Sequence, residues 1–209
     1  MLSFQAILPH TLELLKRLMS QPLMNDMRLV GGTSLALQYG HRRSVDLDLF
    51  GKTTEDVDEL TEMMHDCAET VVRGNCSKRI KAYFLDNVKV DVVNYDYAWI
   101  DAPIVYDGLR LASPVDIAAM KVNAAIGRGT KKDFIDLYFL LQHYSFKELM
   151  SFYLTKYPDG SEYRALLSMT YYADAESQPM PVMLAPVSWD DVKAYLRNIV
   201  EEYNANCTR

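Results

Sequence analysis

Residues 27–50 constrain the fold more than any other stretch, because their pattern changes three times in quick succession. A short strand-like stretch over 27–30 ends at Gly31-Gly32, and residues 33–39 then have the composition of a short helix. Polar and apolar residues alternate strictly over 44–49, which is typical of a strand with one buried face. The segment therefore predicts a strand, a glycine turn, a helix and a second strand in close succession.

The second of these strands carries two carboxylates on one face. Asp46 and Asp48 are two residues apart, so the alternation places them together, opposite an apolar side that includes Val45. Like charges at this spacing raise each other's pKa, and a bound divalent cation removes the conflict. A third acid, Asp91, interrupts a predicted strand over 88–94 that is rich in valine, where a carboxylate is unusual. Three such acids predict a site for Mg²⁺, which prefers oxygen ligands.

The glycine turn adds a second part to the predicted site. A double glycine between a strand and a helix lets backbone N–H groups approach a phosphate closely at the helix N-terminus. Gly31, Gly32, Thr33 and Ser34 are therefore candidate nucleotide-binding residues. Together with the acids they describe phosphoryl transfer, in which one ion activates an attacking hydroxyl and another holds a triphosphate. A lone glycine pair or acid pair is more often structural, so the hypothesis depends on their combination and order along the chain.

The remaining pattern divides the chain in two. Helices are predicted over 9–20 and 54–70, and a hairpin over 79–94 turns at Asp86-Asn87. After a short strand over 109–111 the sequence predicts only helices and a proline-containing loop over 177–187. The predicted helices cover 114–127, 132–144, 146–157, 161–174 and 188–204. The fold class is therefore predicted as α+β: an α/β N-terminal domain, residues 1–108, followed by an all-helical C-terminal domain, residues 109–209.

Composition excludes several other classes of protein. The chain has 209 residues, 22 Lys and Arg, 28 Asp and Glu, and a net charge of −6. Such an acidic total disfavours a protein that coats nucleic acid, although it leaves room for a local basic groove. Three scattered cysteines predict reduced thiols rather than a disulfide framework or a zinc site. Neither a signal peptide nor a membrane span of about 18 apolar residues is evident, so we expect a cytoplasmic protein with no membrane contact.

Several stretches together resemble the AbiEii toxin-type nucleotidyltransferases, which belong to the DNA polymerase beta-like nucleotidyltransferase superfamily. The resemblance covers nearly the whole chain. It implies an N-terminal nucleotidyltransferase fold with a small mixed sheet and a helical C-terminal domain. The stretches that carry it are residues 31–37, residues 41–50, Lys121, residues 132–137, residues 171–176, Pro179-Met180-Pro181 and Trp189.

The resemblance also implies roles for individual residues. Asp46 and Asp48 are implied as metal ligands, and Asp91 as the third and least securely placed acid. Lys121 is implied as a catalytic phosphate ligand, and Asp136 as an active-site or nucleotide-positioning acid.

Two spacings of charged residues in the helical half also have an ordinary structural explanation. Arg128 is seven residues from Lys121, so the two cations share a helix face that can neutralise a triphosphate or simply face solvent. Lys132 and Asp136 are spaced to form an ordinary surface pair. These alternatives stay open on the sequence alone.

The function implied is transfer of a nucleoside monophosphate from an NTP to an acceptor hydroxyl, with loss of pyrophosphate. We expect two Mg²⁺ ions, with Mn²⁺ as an alternative, and an RNA acceptor, with tRNA 3′ ends favoured by the resemblance. The family includes toxins of toxin–antitoxin and phage-defence systems, so an antitoxin protein is an expected partner. The alternatives are transfer to a protein or small molecule, and a non-catalytic module that binds nucleotide or a partner.

The charge distribution bears on the RNA acceptor. Residues 55–69 carry seven acids and no Lys or Arg, so the rest of a chain of net charge −6 sums to +1. If this acidic helix lies away from the site, the remainder is compatible with a modest, salt-sensitive hold on RNA. The basic clusters available for it are Arg42-Arg43, Lys78-Arg79 with Lys81, and Arg128 with Lys131-Lys132.

Overall fold

In the computed structural model, which describes residues 2–207 without the side chain of Cys207, the chain divides into two compact units. The first comprises Met1–Tyr97 and Ala102–Ser113, and the second comprises Ala98–Asp101 and Pro114–Arg209. The domain boundary after residue 108 stays a prediction. Among the described residues, no helix is long and apolar enough to cross a membrane.

The first unit is built around a mixed sheet, as predicted. Its helices are α1 (Pro9–Ser20), α2 (Gly31–Tyr39) and α3 (Val57–Cys67). Its strands are β1 (Arg28–Leu29), β2 (Leu47–Gly51), β3 (Val71–Cys76), β4 (Ile80–Leu85), β5 (Val88–Asn94), β6 (Ile104–Tyr106) and β7 (Leu109–Leu111). Within the described chain the strand order is β3-β4-β5-β2-β1-β7-β6. The β2–β5 and β1–β7 pairs are parallel and the other pairs are antiparallel.

Two of these strands were missed by the sequence pattern, for a physical reason. β3 lies at one edge of the sheet and β6 at the other. Most of β3 and all of β6 are exposed, so neither strand has the alternation that marks a half-buried strand. By contrast, the predicted hairpin is confirmed, because Asp86 and Asn87 adopt φ of 49° and 66° between β4 and β5. Both residue types tolerate the left-handed conformation that such a turn requires.

The core of this unit lies on one face of the sheet. Alternate residues of β2 and β5 point into it, and α1 and α3 contribute their apolar stripes to the same core. The buried residues from these four elements include Leu47, Leu49, Val90, Val92, Leu14, Leu15, Leu18, Leu60 and Met64. The intervening residues of β2 and β5 therefore point to the opposite face. The acidic helix α3 thus packs on the face away from Asp48 and Asp91, which is the condition set above for an RNA acceptor.

The second unit is helical. Its helices are α4 (Pro114–Gly127), α5 (Lys131–Leu140), α6 (Phe146–Lys156), α7 (Glu162–Ser168), α8 (Ala173–Glu176) and α9 (Trp189–Cys207). Capping boxes begin two of them, Thr130 with Asp133 at α5 and Ser145 with Glu148 at α6. The single helix predicted over 161–174 is wrong. The chain leaves the helix after Ser168, and the Tyr172 hydroxyl donates back to the Met169 carbonyl at 2.9 Å, which closes the break.

A buried ion pair ties residues 98–101 to the helical unit. Lys156 Nζ lies 2.7 Å from Asp116 Oδ1, and both side chains are fully buried. The Asp116 carboxylate also accepts hydrogen bonds from the backbone N–H groups of Ile100 and Asp101 at 2.9 and 3.2 Å. Lys156 in turn lies over the Trp99 ring, 4.5 Å from its centroid. Residues 98–101 are thereby held by α4 and α6 within the second unit.

Candidate active site

Two of the predicted acids lie side by side on neighbouring strands. Asp48 of β2 and Asp91 of β5 are direct register partners in a parallel pair, where strands are about 4.8 Å apart. Leu47 and Leu49 are fully buried on the other face, so alternation directs Asp48 out of the core. Both carboxylates are partly exposed. The fold therefore brings together two acids that are 43 positions apart in the chain.

Asp46 was predicted to lie on the same strand as Asp48, but it is not part of that strand. β2 begins at Leu47, so Asp46 precedes the strand. Val45, expected on the buried side, is 50% exposed because the strand alternation does not extend that far. The backbone of Asp46 is held instead by Thr33, whose side-chain oxygen is within hydrogen-bond distance of the Asp46 carbonyl and lies 2.8 Å from the Ser44 hydroxyl.

A cation, Lys89, lies among these acids and was missed by the sequence analysis. Its Nζ donates to Asp91 Oδ2. Burial alone lowers the pKa of Lys89, but the hydrogen bond to Asp91 and the charges of Asp91, Asp48 and Asp46 outweigh it, so the pKa is raised. All three carboxylates therefore act on one ammonium group. The available signal was the spacing, since Lys89 is two residues before Asp91 on the same face of β5.

The glycine turn packs directly against Asp48. α2 begins at Gly31 rather than at Thr33, and Gly31 has a φ of +66°. A Cβ added at Gly31 would lie 2.5 Å from Asp48 Oδ2. The backbone N–H of Val30 also donates to the Asp48 carbonyl at 2.8 Å. Only glycine fits here, and it places the electropositive start of a helix against the carboxylate.

The other residues of the predicted phosphate-binding turn have internal contacts. Thr33 and Ser34 are buried. The Ser34 hydroxyl accepts a hydrogen bond from Gln38 Nε2 at 3.1 Å, and Gly32 is partly exposed. Thr33 and Ser34 thus shape the turn through their side chains. Contact between the backbone N–H groups of residues 31–34 and a phosphate stays a prediction.

The predicted residues of the helical unit form a buried cluster of charges. Lys121 Nζ lies 2.8 Å from Asp133 Oδ1 and 2.6 Å from Asp136 Oδ2, and these three side chains are at most 5% exposed. Arg128 Nε donates to Asp133 Oδ2 at 3.0 Å, although the Arg128 side chain is 67% exposed. Burial raises the pKa of Asp133, but the charges of Lys121 and Arg128 and their hydrogen bonds outweigh it and hold the pKa well below its usual range.

The buried cluster contradicts one pairing that the sequence allowed, while three functional roles stay predictions. Asp136 is buried and bonds to Lys121, so the surface pair between Lys132 and Asp136 is wrong, and Lys132 itself is exposed. The contact of both Lys121 and Arg128 with Asp133 places them on one side of α4 and its C-terminal extension. The catalytic roles of Lys121 and Asp136, and nucleotide binding by Arg128, stay predictions.

The basic clusters proposed for RNA are smaller than the sequence indicated. Arg42, Lys81 and Lys131 are buried. Lys81 Nζ, for example, donates to the carbonyls of Thr54 and Lys78 at 2.8 and 3.0 Å. The cations of these clusters that remain exposed are Arg43, Lys78, Arg79, Arg128 and Lys132.

The donor set of the three acids fits a hard divalent cation. The residues present are carboxylates, two of them on adjacent strands, and they already hold a positive group in the form of Lys89. Across residues 2–206, no three His, Cys, Asp or Glu side chains converge closely enough to define a complete metal site. Cys67 and Cys76 are free thiols, and the Cys207 side chain lies outside the described part.

Comparison with solved structures concerns the fold. The crystal structure of JHP933 from Helicobacter pylori matches with a TM-score of 0.56 at 20% identity, covering 95% of this chain and 92% of that one. A second H. pylori crystal structure also has a TM-score of 0.56, at 22% identity, with coverage of 95% and 94%. At this identity the likeness shows a shared fold.

The family follows from the sequence. The protein aq_aa25 of Aquifex aeolicus (strain VF5) is 32% identical over 199 residues, which cover 93% of this chain and 96% of that protein. The family model described as nucleotidyl transferase AbiEii toxin, type IV toxin–antitoxin system, matches residues 13–194. The chain belongs to this family of nucleotidyltransferase toxins, which confirms the resemblance seen in its motifs.

Proposed function

We propose that this protein is a divalent-metal-dependent nucleotidyltransferase that moves NMP from an NTP to an acceptor hydroxyl on RNA, with tRNA 3′ ends as the favoured acceptor. The observation that carries the proposal is the alignment of Asp48 and Asp91 on parallel strands, with Gly31 packed against Asp48. A helix N-terminus beside paired acids offers N–H donors to a triphosphate next to carboxylates for a metal. Family membership supports the same reaction class.

The chemistry assigns a task to each part of the site. Asp46, Asp48 and Asp91 would hold one or two Mg²⁺ ions, which when bound lower the pKa of the attacking hydroxyl and stabilise the charge on the leaving oxygens. The acceptor oxygen forms a bond to the α-phosphorus while the bond to the pyrophosphate oxygen breaks. The start of α2 would bind phosphate oxygens through backbone N–H groups.

Within the helical unit, Arg128 is the cation proposed to bind nucleotide phosphate. Arg128 is exposed while Asp133 fixes one edge of its guanidinium through Nε and Nη2, at 3.0 and 3.3 Å. Such a fixed guanidinium suits recognition of a phosphate. In this proposal Lys121 and Asp136 act through the same buried network.

An RNA acceptor is supported by the placement of charge. The acidic helix α3 packs on the sheet face opposite Asp48 and Asp91, which removes its charge from the site. The exposed cations of the basic clusters provide a modest hold that weakens with salt. The predicted cellular setting is the cytoplasm, with an antitoxin protein as partner and phage defence as the outcome.

The test compares wild type with Asp48→Asn, using Asp96→Asn as a matched control. Asp96 is exposed and pairs with Lys52 at 2.5 Å, so its loss leaves the acids intact. With radiolabelled NTPs, total RNA and Mg²⁺, wild type and Asp96→Asn should label RNA. Asp48→Asn should lose at least about a hundredfold in rate, since metal stabilisation is worth several kcal/mol.

Other outcomes separate the alternatives. Full turnover by a folded Asp48→Asn protein would refute the metal assignment. Label in protein rather than RNA would move the reaction to a protein acceptor. NTP that raises the melting temperature without any turnover would indicate a non-catalytic binding module. Growth arrest on expression, absent in Asp48→Asn and relieved by the product of a neighbouring gene, tests the toxin role and the antitoxin.

A further inference from the structure

Lys89 pairs with one of the acids of the candidate metal site, and neither the motifs nor the family resemblance assigned it a role. Its ammonium forms an ion pair with Asp91, and Asp91 is the register partner of Asp48. The charges of Asp48 and Asp46 also act on it. A cation attached to the protein thus lies against one of the carboxylates proposed to bind a metal, next to the strand that carries a second.

The Lys89 side chain is not locked in this position by packing. It is 43% exposed, and the Asp91 side chain is 22% exposed. Its register neighbour on β4 is Phe84, which is itself 46% exposed, so Lys89 lies on an open stretch of the sheet face. An ion pair of this exposure is held weakly and can exchange its cation. The buried cluster around Lys121, in which the side chains are at most 5% exposed, has no such freedom.

We propose that Lys89 is a tethered counter-ion that occupies the carboxylate site in the metal-free protein and is displaced when a divalent cation binds. It partly neutralises the repulsion among Asp46, Asp48 and Asp91, and it competes directly with the metal. The cost of releasing it lowers the affinity of the site for metal. The inference rests on the proposed function, because it takes these three acids as the metal ligands.

The first test measures Mn²⁺ binding to the full chain by isothermal titration calorimetry, without NTP or RNA. Lys89→Met removes the competing charge but keeps an unbranched side chain, and it should tighten Mn²⁺ binding by at least about threefold. Lys89→Arg keeps the charge and should stay within about twofold of wild type. Lys52→Met breaks a comparable Lys–Asp pair, with Asp96, and should leave the affinity unchanged.

The second test uses the wild-type protein and does not depend on a variant folding. Lysine side chains are acetylated briefly with an amine-reactive ester, with Mg²⁺ or with EDTA, and the modified sites are quantified by mass spectrometry. Displacement predicts that modification of Lys89 rises at least threefold with Mg²⁺. Lys52 serves as the internal reference and should show no change.

The outcomes separate this inference from the proposed function. If Asp48→Asn abolishes Mn²⁺ binding but Lys89→Met binds it no more tightly than wild type, the counter-ion role is wrong and the metal site stands. If the wild type binds no Mn²⁺, both fail. A folded Lys89→Met variant with weaker binding, or a Lys89 that Mg²⁺ protects from acetylation, would also overturn the inference, because Lys89 would then support the bound state.

Discussion

The two charged clusters of this protein differ in burial and in how they are balanced. On the open face of the sheet, Asp48 and Asp91 are register partners, and the partly exposed ammonium of Lys89 pairs with Asp91. In the helical unit, Lys121, Asp133 and Asp136 are buried, and Arg128 adds the second positive charge that balances the two acids. A balanced buried cluster is costly to disturb, whereas an exposed excess of carboxylates remains available to an added cation. Burial thus distinguishes a cluster whose charges are already balanced within the helical unit from one that is open to an added cation.

The largest expected effect comes from breaking the buried cluster. Lys121→Met leaves two buried carboxylates without their shared partner, and the free energy of unfolding should fall by about 3–5 kcal/mol. Urea denaturation measures this loss directly. Lys52→Met, which breaks an exposed pair, should lose only about 0–1 kcal/mol. If the two losses were equal, the buried cluster would not stabilise the helical unit in the way described.

A smaller effect is expected where the glycine turn meets the open site. In Gly31→Ala, a Cβ 2.5 Å from Asp48 Oδ2, at a φ of +66°, forces the carboxylate or the turn to move. The strained backbone costs about 1–2 kcal/mol. Nucleotide transfer should fall as well, because Asp48 shifts. Gly108→Ala is the control, since its φ is also positive but nothing lies within 4 Å of the added Cβ. Equal activity in the two variants would contradict a role for the close approach.

The smallest expected effect is the pH dependence of the free energy of unfolding that the buried cluster confers. The pKa of Asp133 is lowered in the folded protein, so its stabilising contribution is complete above the unfolded pKa of about 4 and is lost as the pH falls below it. As the pH falls from 4.5 to 3, linkage to the protonation of this carboxyl should lower the free energy of unfolding by about 1 kcal/mol. Asp133→Asn should flatten the curve over that range in urea titrations, whereas Asp96→Asn, at an exposed pair, should change it less. An unchanged curve would show that Asp133 does not contribute.

The parts of the site that could be predicted from sequence are those set by local pattern. Strict alternation around Asp48 and an acid within the valine-rich strand that contains Asp91 were enough to pair them in advance. Asp46 was predicted to share the strand face with Asp48, but it precedes β2, and Thr33 hydrogen-bonds to its backbone carbonyl. Lys89 was overlooked because a lysine on a half-exposed strand is ordinary in sequence and becomes meaningful only beside three carboxylates.

The helical unit shows the limit of the same reasoning. Helix periodicity located α4 and α5, and the spacing of Lys132 and Asp136 left open a surface pair on a single helix. The observed partner, Lys121, belongs to the preceding helix. Likewise Arg42, Lys81 and Lys131 read as surface cations and are buried. Sequence gives a charge and its neighbours on one element, but burial depends on which element packs against it.

The sequence by itself determined the α+β class, the family, the hairpin at Asp86-Asn87 and the identity of the acidic residues. Each of these follows from local periodicity, turn chemistry or the order of motifs along the chain. Only the tertiary structure decided which charges are exposed and which are paired. Strand register set Asp48 opposite Asp91 and brought Lys89 among the acids, and helix packing enclosed Lys121 with Asp133 and Asp136. Electrostatic interactions depend on distance and desolvation, and both are properties of the folded chain.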